Sequence, residues 1–463
     1  MRRLLVLAAV LVALAVTPAA ALAVTTPRFA DGDGVHVTAV RQLSPRLFAL
    51  TLTTPLLTAP TNVRVLLPED YDNDPARRYP VLWLFHGTSG GAQDWTAEPG
   101  RAQDITAHLP LIVVMPDAGV DSNGGGWFTD WYNNGAYGTP QWETWHIDHL
   151  LPWIDTQLRT VGDRSGRAIA GLSQGGFGAM SYAARHPDLF VAAASFSGAL
   201  DIAANGAQAD PLIDPVLLAT EVGLDGAAPG TFFGPRATNE INYAAHDPAT
   251  LAGNLRGMHL WAYTGNGTPG PLDTGLPNPG AMAVEAGAHQ LTALFHQELV
   301  ARSIPIAYDD YGPGTHSWPY WVRDLRELAA PLLGVLGAHE RPPATVDFQS
   351  DATSYDEWGW HVAIARPARE FSRLRAAAVA GFTLSGSGSA TVTTPARYRP
   401  RSRLTVTLTG AAGSATRHVR ADRGGRLTVA VPLGPGNPAQ QETAGATTRV
   451  YTTRVRIRAR RAR

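Results

Sequence analysis

Residues Gly171-Leu172-Ser173-Gln174-Gly175 place a serine between two glycines in the G-x-S-x-G pattern, directly after the apolar run Ala168-Ile169-Ala170 and before a Gly- and Ala-rich segment. A serine there predicts nucleophilic attack on a carbonyl carbon through a covalent acyl intermediate. The small neighbours permit a sharp turn from strand to helix, and the helix that opens at Gln174 directs free N–H groups at the charge a carbonyl oxygen would develop. Such a serine needs an acid and then a histidine later in the chain. His316, in GPGTHSW, follows a β-forming stretch and is placed to act as general base and then general acid. Of the carboxylates ahead of it, Glu298 sits in the helical pattern LTALFHQELVAR, and Asp309 and Asp310 are too close to His316 in sequence. The residues alone leave Asp273 and Glu285 equally placed, on an expected loop beyond HLWAY. Oxyanion donors are expected from the backbone N–H of Gln174 and of Thr88 in HGTSGG. No spacing of His, Asp and Glu suggests a metal: His146 and His149 are separated by two residues, the wrong interval for a zinc helix. No cofactor is called for.

Around these residues the chain alternates strands and helices. Strand-forming runs are expected within Leu43 to Leu67, at Tyr79 to Phe85, Leu111 to Pro116, Arg167 to Ala170, Phe190 to Ser197, His259 to Tyr263 and Ile304 to Asp309. Helices are expected from about Trp142 to Leu158, where Pro152 must be absorbed by a kink or new start, after Ser173, and from about Tyr320 to Leu336. Strand, crossover and helix in repetition predict a mostly parallel, doubly wound α/β sheet of the α/β-hydrolase kind. After Leu336 the pattern changes to short β-rich runs separated by Gly, Pro and Ser, such as RLTVTLTG and TRVYTTRVRIRAR, which predicts an all-β, sandwich-like C-terminal domain. In the last run, Val and Thr are expected on one face and Arg, Tyr and Ile on the other. The expected division is 1–23 as an export signal, 24–337 as the catalytic domain, 338–343 as linker and 344–463 as the β domain.

Composition agrees with a globular chain: 463 residues, 44% hydrophobic and 17% charged, enough apolar material for two cores. The absence of cysteine excludes disulfides and thiolate chemistry. Two arginines followed by an apolar run ending at Thr17-Pro18, with Ala21-Leu22-Ala23 behind it, read as a signal peptide rather than a membrane span, and predict a secreted, extracellular protein. The net charge of −1 conceals an Arg excess from Arg401 onward, where Asp422 and Glu442 are the only acids. Those arginines alternate with β-formers as the solvated face of a strand would, and without aromatic interleaving they do not suggest nucleic acid.

WETWHIDHLLPWI, AIAGLSQGGFGAM, HLWAYTGNG and GTHSWPYW resemble the esterase family that includes the secreted mycobacterial mycolyltransferases of the antigen 85 group and the S-formylglutathione hydrolases, over roughly Val37 to Leu336. The resemblance implies an α/β-hydrolase with a Ser-Glu-His triad, and the glutamate's position in that family corresponds to Glu285. It also implies that the backbone amides of Thr88 and Gln174 form the oxyanion hole. Asp130 matches a segment bordering the family's pocket, and Trp127 and Trp318 are expected to line an acyl or aryl site. His86 stands where the mycolyltransferases carry an Asp that touches substrate, a departure that leaves trehalose recognition unsupported. The leading expectation is a secreted carboxylic-ester hydrolase. Its alternatives are an acyltransferase using a sugar, glycerol or other polyol hydroxyl, and a non-catalytic wall- or matrix-binding protein on a hydrolase scaffold, with glycan, polymer or cell wall as partners of the β domain.

Overall fold

The computed structural model describes residues 27–119, 124–206, 208–338, 342–411 and 413–459. The expected export segment lies outside the described residues. Nine strands form one sheet: β1 (His36–Gln42), β2 (Leu47–Thr53), β3 (Thr61–Leu66), β4 (Val81–Phe85), β5 (Ile112–Pro116), β6 (Arg167–Leu172), β7 (Ala192–Phe196), β8 (His259–Thr264) and β9 (Ala307–Asp310). Their spatial order is β1-β2-β3-β5-β4-β6-β7-β8-β9. The first three strands and the β3–β5 pair are antiparallel, and every pairing from β5 through β4 to β9 is parallel. Burial explains why the central strands read as uninterrupted apolar runs. Every residue of β4, β5, β6 and β7 is buried, because helices cover both faces of the sheet. Two separate hydrophobic clusters mark those two faces, one containing Trp83, Phe85 and Ile169 and the other Leu82, Leu84 and Ala170.

The helix expected over Trp142 to Leu158 forms as three joined segments, Trp142–Thr144, a wider π turn Trp145–Leu150, and Leu151–Gln157. Pro152 falls in the first turn of the last segment, where a missing N–H costs little, and the π turn ahead of it relaxes the ladder. The helix Gln174–Arg185 follows β6, and the helices Pro279–Ala301 and Trp318–Val335 complete the unit.

Ten further strands make a separate, wholly antiparallel domain. Its six-stranded sheet runs Val346–Ser350, Ser372–Ala378, Gly381–Gly386, Tyr451–Ala459, Arg403–Gly410 and Gly413–Arg420. Its four-stranded sheet runs Ser354–Glu357, Trp360–Ala365, Ser389–Thr393 and Thr428–Pro432. The two sheets share one core. In Tyr451–Ala459, Thr453, Val455 and Ile457 are buried while Arg454, Arg456 and Arg458 are exposed. Ile457 therefore lies inward with Val455 rather than outward with the arginines, because period-two alternation puts 453, 455 and 457 on one face. The domain docks on the α/β unit through polar contacts. Asn254 exchanges two bonds with the Gln349 backbone, each 2.9 Å, as a neighbouring strand would, and the Trp358 N–H donates to Asp188 at 2.9 Å.

Candidate active site

Ser173 joins β6 to the helix Gln174–Arg185 with φ 54° and ψ −122°, a conformation that costs a non-glycine residue energy and persists only where the surroundings enforce it. The enforcement is steric. A Cβ on Gly171 would come within 2.3 Å of the Gly175 carbonyl oxygen, one on Gly175 within 2.2 Å of the His86 carbonyl oxygen, and one on Gly176 within 2.5 Å of Ser195 Oγ. The helix thus starts hard against the ends of β4, β6 and β7, and the serine projects from the top of the sheet.

His316 enters from the loop after β9. Its Nε2 is 2.8 Å from Ser173 Oγ and its Nδ1 is 2.7 Å from Glu285 Oε2. The imidazole is held edge-on against Trp321 at 5.0 Å, and its own N–H donates to the Ala281 carbonyl. Glu285 is fully buried. Its second oxygen, Oε1, accepts from Ser197 Oγ at 2.8 Å, Thr264 Oγ1 at 3.2 Å and the Gly265 N–H at 2.8 Å. Three donors on one oxygen fix the carboxylate's rotation and compensate its burial. Glu285 stands inside the long helix Pro279–Ala301, not on the loop expected after β8. The helix begins early because Asn278 caps it and Pro279 opens it. Asp273 is directed elsewhere: it accepts from the Thr315 and Tyr320 hydroxyls and from the Gly270 N–H, so it braces the loop that carries His316.

The loop after β4 comes against the serine. A Cβ on Gly87 would meet Leu172 Cδ1 at 2.4 Å and Ser173 Cβ at 3.3 Å, and Thr88 Oγ1 donates to Gln174 Oε1 at 2.9 Å. The two expected oxyanion donors therefore belong to segments tied to one another beside Ser173. Gly125, from the SNGGGW loop, packs on the Gln174 amide, with Thr220 behind it.

The four residues expected to line a substrate pocket fare differently. His86 is buried with both ring nitrogens engaged: Nε2 accepts from the Ala118 N–H at 2.9 Å, so Nδ1 carries the proton and donates to the Gly87 carbonyl at 2.8 Å. It orients the HGT loop and presents no free nitrogen to a substrate. Asp130 caps the Trp142–Thr144 segment through the Thr144 N–H and hydroxyl, at 3.0 and 2.5 Å, and borders an interdomain cavity shared with Glu143, Arg185 and Tyr355. Burial, reinforced by nearby Glu143, raises its carboxyl to about 6. Trp127 is buried against Phe177, ring to ring at 5.3 Å, as part of the core. Trp318 is half-buried, wedged edge-on between Trp95 and Trp321 at the start of the helix that follows His316. Three of these four departures share a cause, since a polar or aromatic residue near a motif can be consumed by backbone groups or core that only the tertiary fold brings up.

Sequence reasoning missed Ser197, Thr264 and Gly265, the residues that grip Glu285. The positions immediately after β7 and at the end of β8 were the available signal, because the ends of parallel strands gather at one edge. It also missed His146, whose Nε2 donates to the Asp117 carbonyl at 2.9 Å while its Nδ1 accepts from Tyr182 at 3.0 Å. Burial lowers His146 to about 3 and keeps it neutral. Among the described residues, no group of three or more His, Asp or Glu side chains is placed to hold a metal, and no helix is long and apolar enough to cross a membrane.

A family model described as "Putative esterase" matches residues 55–331. Esterase Rv1288 of Mycobacterium tuberculosis is 42% identical over 172 residues, which are 36% of this chain and 36% of that protein. The chain thus spans about a third of that relative's length. Diacylglycerol acyltransferase/mycolyltransferase Ag85B of Mycobacterium leprae is 33% identical over 239 residues, 50% of this chain and 68% of that protein. A solved ferulic acid esterase superposes with a TM-score of 0.46 at 23% identity, covering 63% of this chain and 98% of its own.

Proposed function

Since the chain belongs to this esterase family of α/β-hydrolases, we propose that it is a secreted serine carboxylic-ester hydrolase working through a Ser173-Glu285-His316 triad. The observation that carries the reading is the continuous chain of contacts from Ser173 Oγ through both nitrogens of His316 to a fully buried Glu285. His316 Nε2 takes the Ser173 proton as Oγ attacks the ester carbonyl. The N–H groups of Gln174 and Thr88 receive the oxyanion, each donor being worth about 3 kcal/mol in the transition state. The imidazolium, held by Glu285, returns the proton to the departing alcohol, and water activated by His316 then releases the acid. Exposed apolar side chains support an apolar acyl group. Val222 (50% exposed) and Leu224 (41%) follow Thr220, which packs beside Gln174, and Leu276 (94%) precedes the helix that carries Glu285.

A second reading, transfer of the acyl group to a polyol or sugar hydroxyl, is favoured by the kinship with the mycolyltransferase, which covers two thirds of that protein. The two readings differ in what attacks the acyl-enzyme. The deciding experiment is turnover of p-nitrophenyl esters of increasing acyl length by the protein and its Ser173→Ala variant, with and without glycerol and trehalose. Free acid in every condition supports the hydrolase and acylated acceptor the transferase. Turnover unaffected by the substitution contradicts both.

A further inference from the structure

A cavity of about 720 Å³ lies between the α/β unit and the β domain, away from Ser173. Glu298 lines it from the same helix that carries Glu285, and the rise between those two residues places the cavity about 20 Å from the triad acid. Ligand sites favour such domain junctions, and this volume falls in their ordinary range.

The chemistry of the lining is mixed. The α/β unit contributes Asp201, Glu240 and Glu298 with Arg256 and Arg302, and the β domain contributes Asp347 and Glu442 with Arg373 and Arg375. Some of these are committed within the protein: Glu298 pairs with Arg302 at 2.8 Å, and Asp347 accepts from the Ala376 N–H at 2.7 Å. The others leave donors and acceptors facing the cavity from both walls. Phe348 and Phe371 add apolar edge. Burial pushes Asp201 up to about 6 and Glu240 up to about 8, so at neutral pH Glu240 can donate as well as accept. An anionic ligand would meet five carboxyl groups and a cationic one four guanidinium groups, each with its desolvation cost. A neutral ligand whose groups both donate and accept satisfies either kind of partner.

We propose that this interdomain cavity binds a neutral polyhydroxylated ligand, a short stretch of polysaccharide, with the two domains supplying opposite walls. The site is independent of the chemistry at Ser173, so binding is expected in the Ser173→Ala variant too. It gives the β domain a task that the family's α/β unit alone does not perform: holding a glycan beside the enzyme.

The test is calorimetric titration of the full chain bearing Ser173→Ala with short neutral oligosaccharides of glucose, xylose, arabinose and galactose, and separately with inorganic phosphate. The same titrations use the Arg373→Ala/Arg375→Ala pair on one wall and Asp201→Asn on the other, each checked for an unchanged thermal midpoint. Saturable binding of at least one oligosaccharide, weakened tenfold or more by a correctly folded variant of either wall, is the expected result. No binding by any sugar, binding indifferent to both walls, or phosphate binding in place of sugar overturns the proposal.

Discussion

Replacing Glu285 by Gln keeps the size of the side chain and tests the logic of its surroundings. Ser197 Oγ, Thr264 Oγ1 and the Gly265 N–H converge on Oε1, and the Gly265 N–H cannot reverse its role. The glutamine must therefore put its carbonyl oxygen at Oε1 and its NH2 at the position 2.7 Å from His316 Nδ1. A donor there selects the tautomer with the proton on Nε2, which cannot accept the Ser173 proton. The same error of tautomer in a serine protease lowers kcat about 10⁴-fold, equivalent to ~5.5 kcal/mol on the barrier. Steady-state kinetics on a soluble p-nitrophenyl ester should show that loss in kcat with KM little changed and the thermal midpoint within a few degrees. A Glu285→Gln enzyme within about tenfold of the parent would refute the assignment of the acid and the orientation argument together.

Ser197→Ala removes one of three donors from Oε1 and leaves the other two, so a smaller defect is expected, about tenfold in kcat or ~1.4 kcal/mol, again without change in KM. A matching rise in KM would show that Ser197 acts on substrate rather than on Glu285. Asp130, raised to about 6 from 3.8 by burial, favours its neutral form in the fold. Its contribution is fully present below ~pH 4 and is lost as pH rises through ~6, a component of ~3 kcal/mol. Asp130→Asn should abolish that component, so the difference in urea-unfolding free energy between variant and parent should move in the variant's favour from ~pH 4 to ~pH 7. A difference that stays flat across that range contradicts it.

The parts of this molecule legible in the sequence are those governed by local rules. The turn at Ser173 is encoded by its own glycines, whose missing Cβ atoms make room for Gly175, His86 and Ser195. Strands β4 and β5 announce themselves because every residue is buried. The placement of Glu285 was not legible from residues alone: PGAMAVEAGAH is poor in the apolar periodicity that marks a helix, and nothing local says that its fifth side chain after Gly280 meets a histidine thirty-one positions on. His86 and Asp130 looked like pocket residues because they adjoin motifs, yet their partners, Ala118, Gly87 and Thr144, are spent holding backbone. In the β domain the alternating run Tyr451–Ala459 was visible. Ser354–Glu357 was not, since its buried Glu357 breaks the polar-out pattern where the strand meets the α/β unit at Asp188.

The central claim is that Ser173 forms an ester with substrate. Rapid mixing with a p-nitrophenyl ester, acid quench and peptide mass mapping tests it directly. The account predicts a burst of p-nitrophenol matching the enzyme concentration and an acyl mass increment on the peptide containing Ser173, absent from Ser173→Ala. Full turnover with no adduct at Ser173, or with the increment on another residue, would contradict it.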